Sequence, residues 1–372
     1  MRITGIEPIV LRLPSVDVTR ADGTQDALLV KVHTDEGLVG IGEADSSPYL
    51  VRTAIEMPSS HLIARGLADL LVGQDPLQID RLWQRMYQGS SYYGRGGVAS
   101  HAISAIDIAL WDLAGKTLGV PVSELLGGRR VDRMPVYASA VMPAVADKAA
   151  ALAAQAVADG YDAFKLGWGP LGQDLAHDAE LIGAAREALG PERRLMIDGG
   201  QAYTVKSVIS LLERVADDDL FWFEEPFAPE DFHSYQRLSV ATNVRIAAGE
   251  VESGRAAFEK LIREAHLDVL QPDLARCGGF TVARQIRDLC RPAGPMIVPH
   301  CFSSGVLVAA SLHFAAALDQ PVLSEYSIAD SPLVNELLEQ PFALENACLA
   351  VPSGPGLGVA LNEDVLARLR VA

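Results

Sequence analysis

The sequence predicts an α/β barrel of eight parallel strands preceded by a smaller α+β domain. The main observation is a beat. Short apolar runs end on a polar, mostly acidic residue: RLMID on Asp198, FWFE on Glu224, RIAAGE on Glu250, DVLQPD on Asp273, MIVPH on His300 and PVLSE on Glu325. The intervals are 26, 26, 23, 27 and 25 residues, each about one strand–helix unit. In a parallel barrel the C-terminal strand ends ring a single mouth, where such folds keep their chemistry. One acid after an apolar run can be the cap of the next helix. Six in sequence, including Glu-Glu-Pro and Pro-His where no helix follows at once, call for a common mouth. The second observation is length: 372 residues, nearly half of them apolar, are enough for a large barrel and a companion domain.

Taken in order, residues 1–45 alternate apolar and polar around turn signals. Three antiparallel strands are expected at Ile3 to Leu13, Ala27 to His33 and Leu38 to Ala44, the last two joined across Asp35-Glu36-Gly37. The polar loop from Ser15 to Gln25 is long for a compact domain, as functional loops often are. From Tyr49 the pattern turns helical, most clearly from Val98 to Leu118, with Ile103, Ile106, Ala109, Leu110 and Leu113 on one face. Ahead of it lies SSYYGRGG, a loop of aromatics, glycine and one cation, Arg95. Residues 1–130 are read as this α+β domain. Residues 131–330 carry the barrel strands MPVYAS, AFKLGW, RLMIDG, LFWFEEP, RIAAGE, DVLQPD, MIVPH and PVLSEY, with amphipathic segments such as Lys148 to Asp159, Val205 to Ala216 and Ala256 to His266 between them. After Glu325 the beat stops, and residues 331–372 are expected to pack back on the first domain or cover the barrel rim. No G-x-G-x-x-G follows a first strand, which argues against a dinucleotide fold.

Composition narrows the function. The net charge of −17 argues against nucleic acid or an anionic membrane as partner. An anionic substrate therefore needs a local cation. Cys277, Cys290, Cys301 and Cys348 form no C-x-x-C pair and read as reduced thiols of a cytoplasmic protein. Cys301, beside His300, reads as a small filler. The N-terminal MRITGIEPIVLRLP has no apolar signal-peptide core, and Val306 to Leu318 is too short to span a bilayer.

Three carboxylates converging from neighbouring strand ends repel one another unless a cation sits between them. Oxygen ligands without His or Cys select a hard divalent ion, by default Mg²⁺, one per subunit. Asp198, Glu224 and Glu250 are the candidate ligands, with Glu225 directed elsewhere by strand alternation. Asp273 beside His300 makes a general-base pair, because a carboxylate fixes the imidazole tautomer and raises its proton affinity. Lys165, in the apolar run AFKLG, faces the same ring, which Glu325 closes. A divalent ion, an ammonium and a His base suit a carboxylate substrate that must lose the proton next to its carboxyl group.

The order Lys165, Asp198, Glu224-Glu225-Pro226, Gly249-Glu250, Pro272-Asp273, His300 and Glu325, after an α+β domain, resembles the enolase superfamily across essentially the whole chain. The His–Asp pair resembles its mandelate racemase subgroup. The resemblance implies a (β/α)₇β TIM-like barrel under a capping domain, with the loops around Ser15–Gln25 and Ser90–Gly97 as a substrate lid. It implies Asp198, Glu224 and Glu250 as metal ligands, His300 with Asp273 as the base, and Glu325 as a partner of the substrate carboxylate. It also implies a small acid-sugar substrate (aldonate or aldarate) and a homo-oligomer. Arg95 and Tyr93 are candidates for substrate contacts from the lid. Two positions depart from the family pattern. Gly167 stands where a second lysine is common, and Asp198-Gly199-Gly200 replaces Asp-x-Asn. Without the second lysine, a dehydratase giving a 2-keto-3-deoxy acid is expected ahead of a racemase, epimerase or cycloisomerase using Lys165 as second base. A Schiff-base role for Lys165 is disfavoured, since surrounding carboxylates keep the amine protonated.

Overall fold

The computed structural model describes residues 1–290 and 294–371. Its first domain opens with an antiparallel sheet of β1 (Ile3–Arg12), β2 (Asp26–Thr34) and β3 (Val39–Ala44), in that order. Gly37, at φ +80°, makes the β2–β3 turn. Helices α1 (Pro48–Glu56), α2 (Leu67–Leu71), α3 (Ile79–Gly89), α4 (Val98–Leu118) and α5 (Val122–Leu125) follow. Helix α4 has the predicted bounds and is apolar nearly all round, so it is buried along most of its length. It ends on Gly119, left-handed at φ +71°, whose N–H bonds the Gly115 carbonyl.

Then strand and helix alternate: β4 (Arg133–Val141), α6 (Ala146–Ala158), β5 (Ala163–Gly167), α7 (Leu175–Leu189), β6 (Arg194–Asp198), α8 (Val205–Arg214), β7 (Leu220–Glu224), α9 (Phe232–Ser239), β8 (Arg245–Ala248), α10 (Arg255–Lys260), β9 (Val269–Leu270), α11 (Gly279–Leu289), β10 (Met296–Ile297), α12 (Gly305–Ala316) and β11 (Ser324–Ser327). Each strand from β4 to β10 pairs in parallel with the next, and β11 returns beside β4. Among the described residues no ladder joins β10 to β11. The fold is thus the expected eight-stranded parallel α/β barrel with an N-terminal α+β domain, open at one seam. No helix of the described residues is long and apolar enough to cross a membrane.

Strands β9 and β10 are shorter than the apolar runs that contain them. Pro272 and Pro299 lie just beyond, and a residue without an N–H cannot continue a ladder. Helix α10 also stops early and runs into one π turn, Leu261–Ala265, closed by left-handed His266.

The barrel interior is filled by one side chain per strand: Tyr137, Ala163, Met196, Trp222, Ala247, Val269, Val298 and Leu323. The tail contributes α13 (Pro332–Asn335), β12 (Cys348–Ala350) and α14 (Glu363–Leu369). It touches both parts of the molecule: β12 pairs antiparallel with β4, while the Val371 N–H bonds the Val10 carbonyl and Lys31 pairs with Glu363 at 2.8 Å. Ala372 lies outside the described residues.

Candidate active site

Side chains alternate across a strand, so residues two positions beyond the apolar floor face the same interior, one layer nearer the mouth. On five strands these are Ser139, Lys165, Asp198, Glu224 and Glu325, and just past the short strands β9 and β10 Gln271 and His300 follow Val269 and Val298 in the same way. Asp198 and Glu224 are direct register partners. Glu250 is not part of this register, so the equal 26-residue spacing does not reflect equal depth. Strand β8 stops at Ala248, and Gly249, at φ +131°, turns the chain so that Glu250 swings inward.

Asp198, Glu224 and Glu250 each offer a carboxylate oxygen within 4.8 Å of the other two, and all three are buried. Burial raises Asp198 well above the usual carboxylate range, and the Glu224 charge adds to this; burial also raises Glu224. Both shifts reflect the cost of unneutralised negative charge. A hard divalent cation relieves it, and the all-oxygen donor set fits Mg²⁺.

Lys165 Nζ lies 2.5 Å from Glu224 Oε1 and 2.9 Å from Glu325 Oε1. Burial alone would lower its pKa, but these two carboxylates raise it well above an ordinary lysine's. The second Glu224 oxygen accepts Trp222 Nε1 at 2.9 Å and Gln271 Nε2 at 2.7 Å. His300 Nδ1 and Asp273 Oδ2 are 2.7 Å apart. Asp273 accepts from Nδ1, so Nε2 is the ring nitrogen turned toward the other carboxylates. Nε2 lies 3.3 Å from Glu250 Oε2 and 3.9 Å from Glu325 Oε2. Burial lowers the His300 pKa, yet Glu250, Glu325 and the Asp273 bond together raise it to about 10. Glu325 is pushed up by burial but held at about 2 by Lys165 and His300, and accepts the Cys301 N–H at 2.8 Å.

These groups surround a cavity of about 280 Å³, lined by Lys165, Asp198, Glu250, Arg276, His300 and Glu325 below and by Ala21, Asp22, Gly23, Trp168 and Phe302 around the rim. Small-molecule sites run from about 300 to 1,000 Å³, so the ligand is small. The Ser15–Gln25 loop reaches the cavity through Ala21 to Gly23. The Ser90–Gly97 loop does not line it. The Tyr93 hydroxyl donates to the Arg65 carbonyl at 2.7 Å, Arg95 is exposed, and neither lines the cavity. Glu225 turns aside at φ +35° and accepts Gln201 Nε2 at 2.9 Å. All four cysteines are unpaired.

At Gly167 there is no vacancy for a second lysine. A Cβ there would sit 2.3 Å from Asp198 Cβ, closer than side-chain atoms approach, so glycine is what lets Asp198 take its place. Sequence reasoning missed Gln271, Arg276 and the two residues Glu43 and Asp45 of the first domain. Gln271 was within reach of strand alternation, two positions after Val269.

Residues 148–365 match the family model described as enolase C-terminal domain-like, and residues 4–127 match the mandelate racemase/muconate lactonizing enzyme N-terminal domain. The chain belongs to the mandelate racemase/muconate lactonizing enzyme family of the enolase superfamily. Within that family it is 35% identical to D-galactarolactone cycloisomerase of Agrobacterium fabrum, covering 92% of this chain and 91% of that one. It is also 35% identical to D-galactonate dehydratase of Ralstonia nicotianae, covering 91% and 90%. The crystal structure of the 3,6-anhydro-D-galactonate cycloisomerase from Zobellia galactanivorans superposes with a TM-score of 0.91 over the full length of both chains, at 33% identity.

Proposed function

We propose that this family member is a magnesium-dependent sugar-acid dehydratase, with residues 1–130 as its cap and residues 131–330 as its catalytic barrel. The observation that carries this reading is the His300–Asp273 pair facing Lys165 and Glu325 across a cavity lined by Asp198 and Glu250, with Glu224 clustered against those two carboxylates. A Mg²⁺ ion held by Asp198, Glu224 and Glu250 would supply positive charge against the substrate carboxylate. Lys165, kept as an ammonium, offers further positive charge to the same group, and Glu325 orients it. The Glu250 charge is the largest of those that hold the His300 imidazole protonated; with that charge neutralised by the cation, Nε2 is free to take the C2 proton while Asp273 holds the tautomer. The electron pair of that C–H bond becomes the C2=C3 bond as the C3–O bond breaks. The imidazolium returns its proton to the departing hydroxyl, which leaves as water. Ketonisation of the enol adds a solvent proton at C3 and gives the 2-keto-3-deoxy acid.

The relatives named as dehydratases support this reading, and so does the absence of a second base. Gly167 has no side chain, and Lys165 is held protonated by Glu224 and Glu325. A cycloisomerase is the second reading, favoured by the Agrobacterium and Zobellia relatives. It uses the same proton removal but expels a ring oxygen that stays in the product. Four unpaired cysteines suit a cytoplasmic enzyme.

A library of aldonates, aldarates and their lactones, incubated with Mg²⁺ in D₂O, tests both. A 2-keto product lighter by one water marks dehydration, and a product of unchanged composition marks ring opening. In either case no C2 epimer of the starting acid should accumulate. Accumulation at a rate comparable to product formation would sink the one-base mechanism.

A further inference from the structure

Strand β3 lies so close to helix α4 that a Cβ at Gly40 would meet the Ala109 carbonyl oxygen at 2.1 Å, and one at Gly42 that of Ala105 at 2.0 Å. The two glycines therefore face the helix, and alternation turns Glu43 and Asp45 the other way, toward the barrel. Glu43 is fully buried. It accepts Ser303 Oγ at 2.6 Å, Ser304 N–H at 3.1 Å, Ser304 Oγ at 2.5 Å and Leu307 N–H at 2.8 Å. Those four donors use the full acceptor capacity of a carboxylate. They belong to the turn that follows His300 and to the first turn of α12, where a negative charge is favoured.

Asp45 reaches the other half of the base pair. Its Oδ2 accepts Arg276 Nη2 at 2.7 Å, and its carbonyl accepts Arg276 Nε at 3.1 Å. Arg276 follows Asp273 by three residues, with Nε 3.9 Å from Asp273 Oδ2, while Nη1 donates to Glu250 Oε1 at 3.2 Å. Asp45, Asp273 and His300 offer polar atoms within 4.8 Å of one another. Neither Glu43 nor Asp45 lines the cavity, so neither is placed to touch substrate.

We propose that Glu43 and Asp45 are positioning residues. The cap's third strand sets His300 against Asp273 and aims Glu250, so the reacting centre is completed by docking of the cap and not by the barrel alone. The proposal rests on the roles assigned above to His300, Asp273 and Glu250. It divides the work: Glu43 acts on the His300 turn, and Asp45, by engaging Arg276, keeps that guanidinium from pairing fully with Glu250.

The test needs no substrate. Mn²⁺ serves as a paramagnetic probe of the carboxylate cluster, and the low-field Nδ1 proton of His300, identified by its loss in His300→Asn, reports the base pair. Asp45→Asn should weaken Mn²⁺ binding about tenfold, as loss of an outer-shell partner does, and move the His300 proton. Glu43→Gln should move or broaden that proton while leaving Mn²⁺ affinity within about twofold, a small effect on the scale of outer-shell losses. Asp45→Glu should restore part of the affinity. Such a split between the two variants cannot come from general loosening, which shifts both signals along with the thermal midpoint. Wild-type affinity and an unmoved proton in both variants, or a common loss tracking the midpoint, would overturn the proposal. Should Glu43→Gln not fold, Ser303→Ala removes one donor and leaves the charge; an unmoved proton there overturns the clamp. If the wild-type protein binds no Mn²⁺, the three-ligand assignment falls, and the His300 proton alone decides the role of Glu43.

Discussion

The barrel holds two layers of side chains only two residues apart, and they could hardly differ more. The floor is Tyr137, Ala163, Met196, Trp222, Ala247, Val269, Val298 and Leu323. The layer above it, on the same strands, includes Ser139, Lys165, Asp198, Glu224, Gln271, His300 and Glu325. Both are buried. The floor is neutral and close-packed, and it lowers the free energy of the fold by removing apolar surface from water. The upper layer concentrates carboxylates that repel one another, and each needs Lys165, Arg276, His300 or a metal ion nearby. Stability and chemistry are thus separated by one step of the strand alternation, and the contrast can be broken one layer at a time.

The largest expected effect is His300→Asn. If His300 is the base proposed above, its removal should lower turnover by about 10⁴-fold and abolish C2 proton exchange in D₂O, with little change in the thermal midpoint. Residual exchange at the wild-type rate would move the base elsewhere. One layer down, Met196→Ala sits two residues below Asp198 and should do the reverse. It should cost about 2–5 kcal/mol in chemical denaturation while the folded enzyme keeps its turnover.

A third probe uses a buried ionisable group outside the mouth. His313 in α12 accepts the Ser123 N–H through Nδ1 at 3.3 Å and donates from Nε2 to the Leu357 carbonyl at 3.1 Å, so it is neutral. Burial lowers its pKa to about 4, against 6.5 when exposed. Between those values the unfolded chain binds the proton and the folded one does not. Stability from this group is therefore complete above pH 6.5 and is lost as pH falls toward 4, by about 3 kcal/mol at most. His313→Gln, followed by urea unfolding from neutral pH to about pH 5, should lose less stability over that range than wild type. The smallest effect is expected at Arg95. Exposed and outside the cavity, its replacement by Ala should change stability by no more than about 0.5 kcal/mol and leave the Michaelis constant for the best acid sugar unchanged.

The fold and the central cluster were legible because strand alternation and the repeat length are local properties. Helix α4 matched its expected bounds, and Lys165, Asp198, Glu224, His300 and Glu325 stand at the interior positions their runs implied. Glu250 converges for a different reason, the Gly249 turn, which spacing alone does not contain. Arg276, Asp45 and Glu43 come together only when the first domain docks, and no periodicity in either stretch announces that contact. Tyr93 and Arg95 had aromatic and cationic chemistry suited to a lid. Their placement is set by tertiary packing that the local sequence does not contain: Tyr93 is tied to the Arg65 carbonyl, and neither residue lines the cavity.

The seam between β10 and β11 gives the mouth a preferred direction of compliance. Each of the other seven inter-strand gaps is laced by ladder pairing, so widening it breaks backbone hydrogen bonds. Among the described residues the seam has no ladder; the Cys301 N–H to Glu325 bond crosses it, as does the His300–Glu325 pair at 3.9 Å. His300 stands on one lip and Glu325 on the other. Parting those lips breaks no ladder, but it works against the Glu43 bonds to Ser303 and Ser304 on one side and the Lys165–Glu325 pair on the other. Libraries that aim to enlarge the substrate range can therefore vary Cys301 and its neighbours without cutting a strand ladder, whereas the Lys165–Asp198–Glu224 side of the ring is laced by ladders throughout.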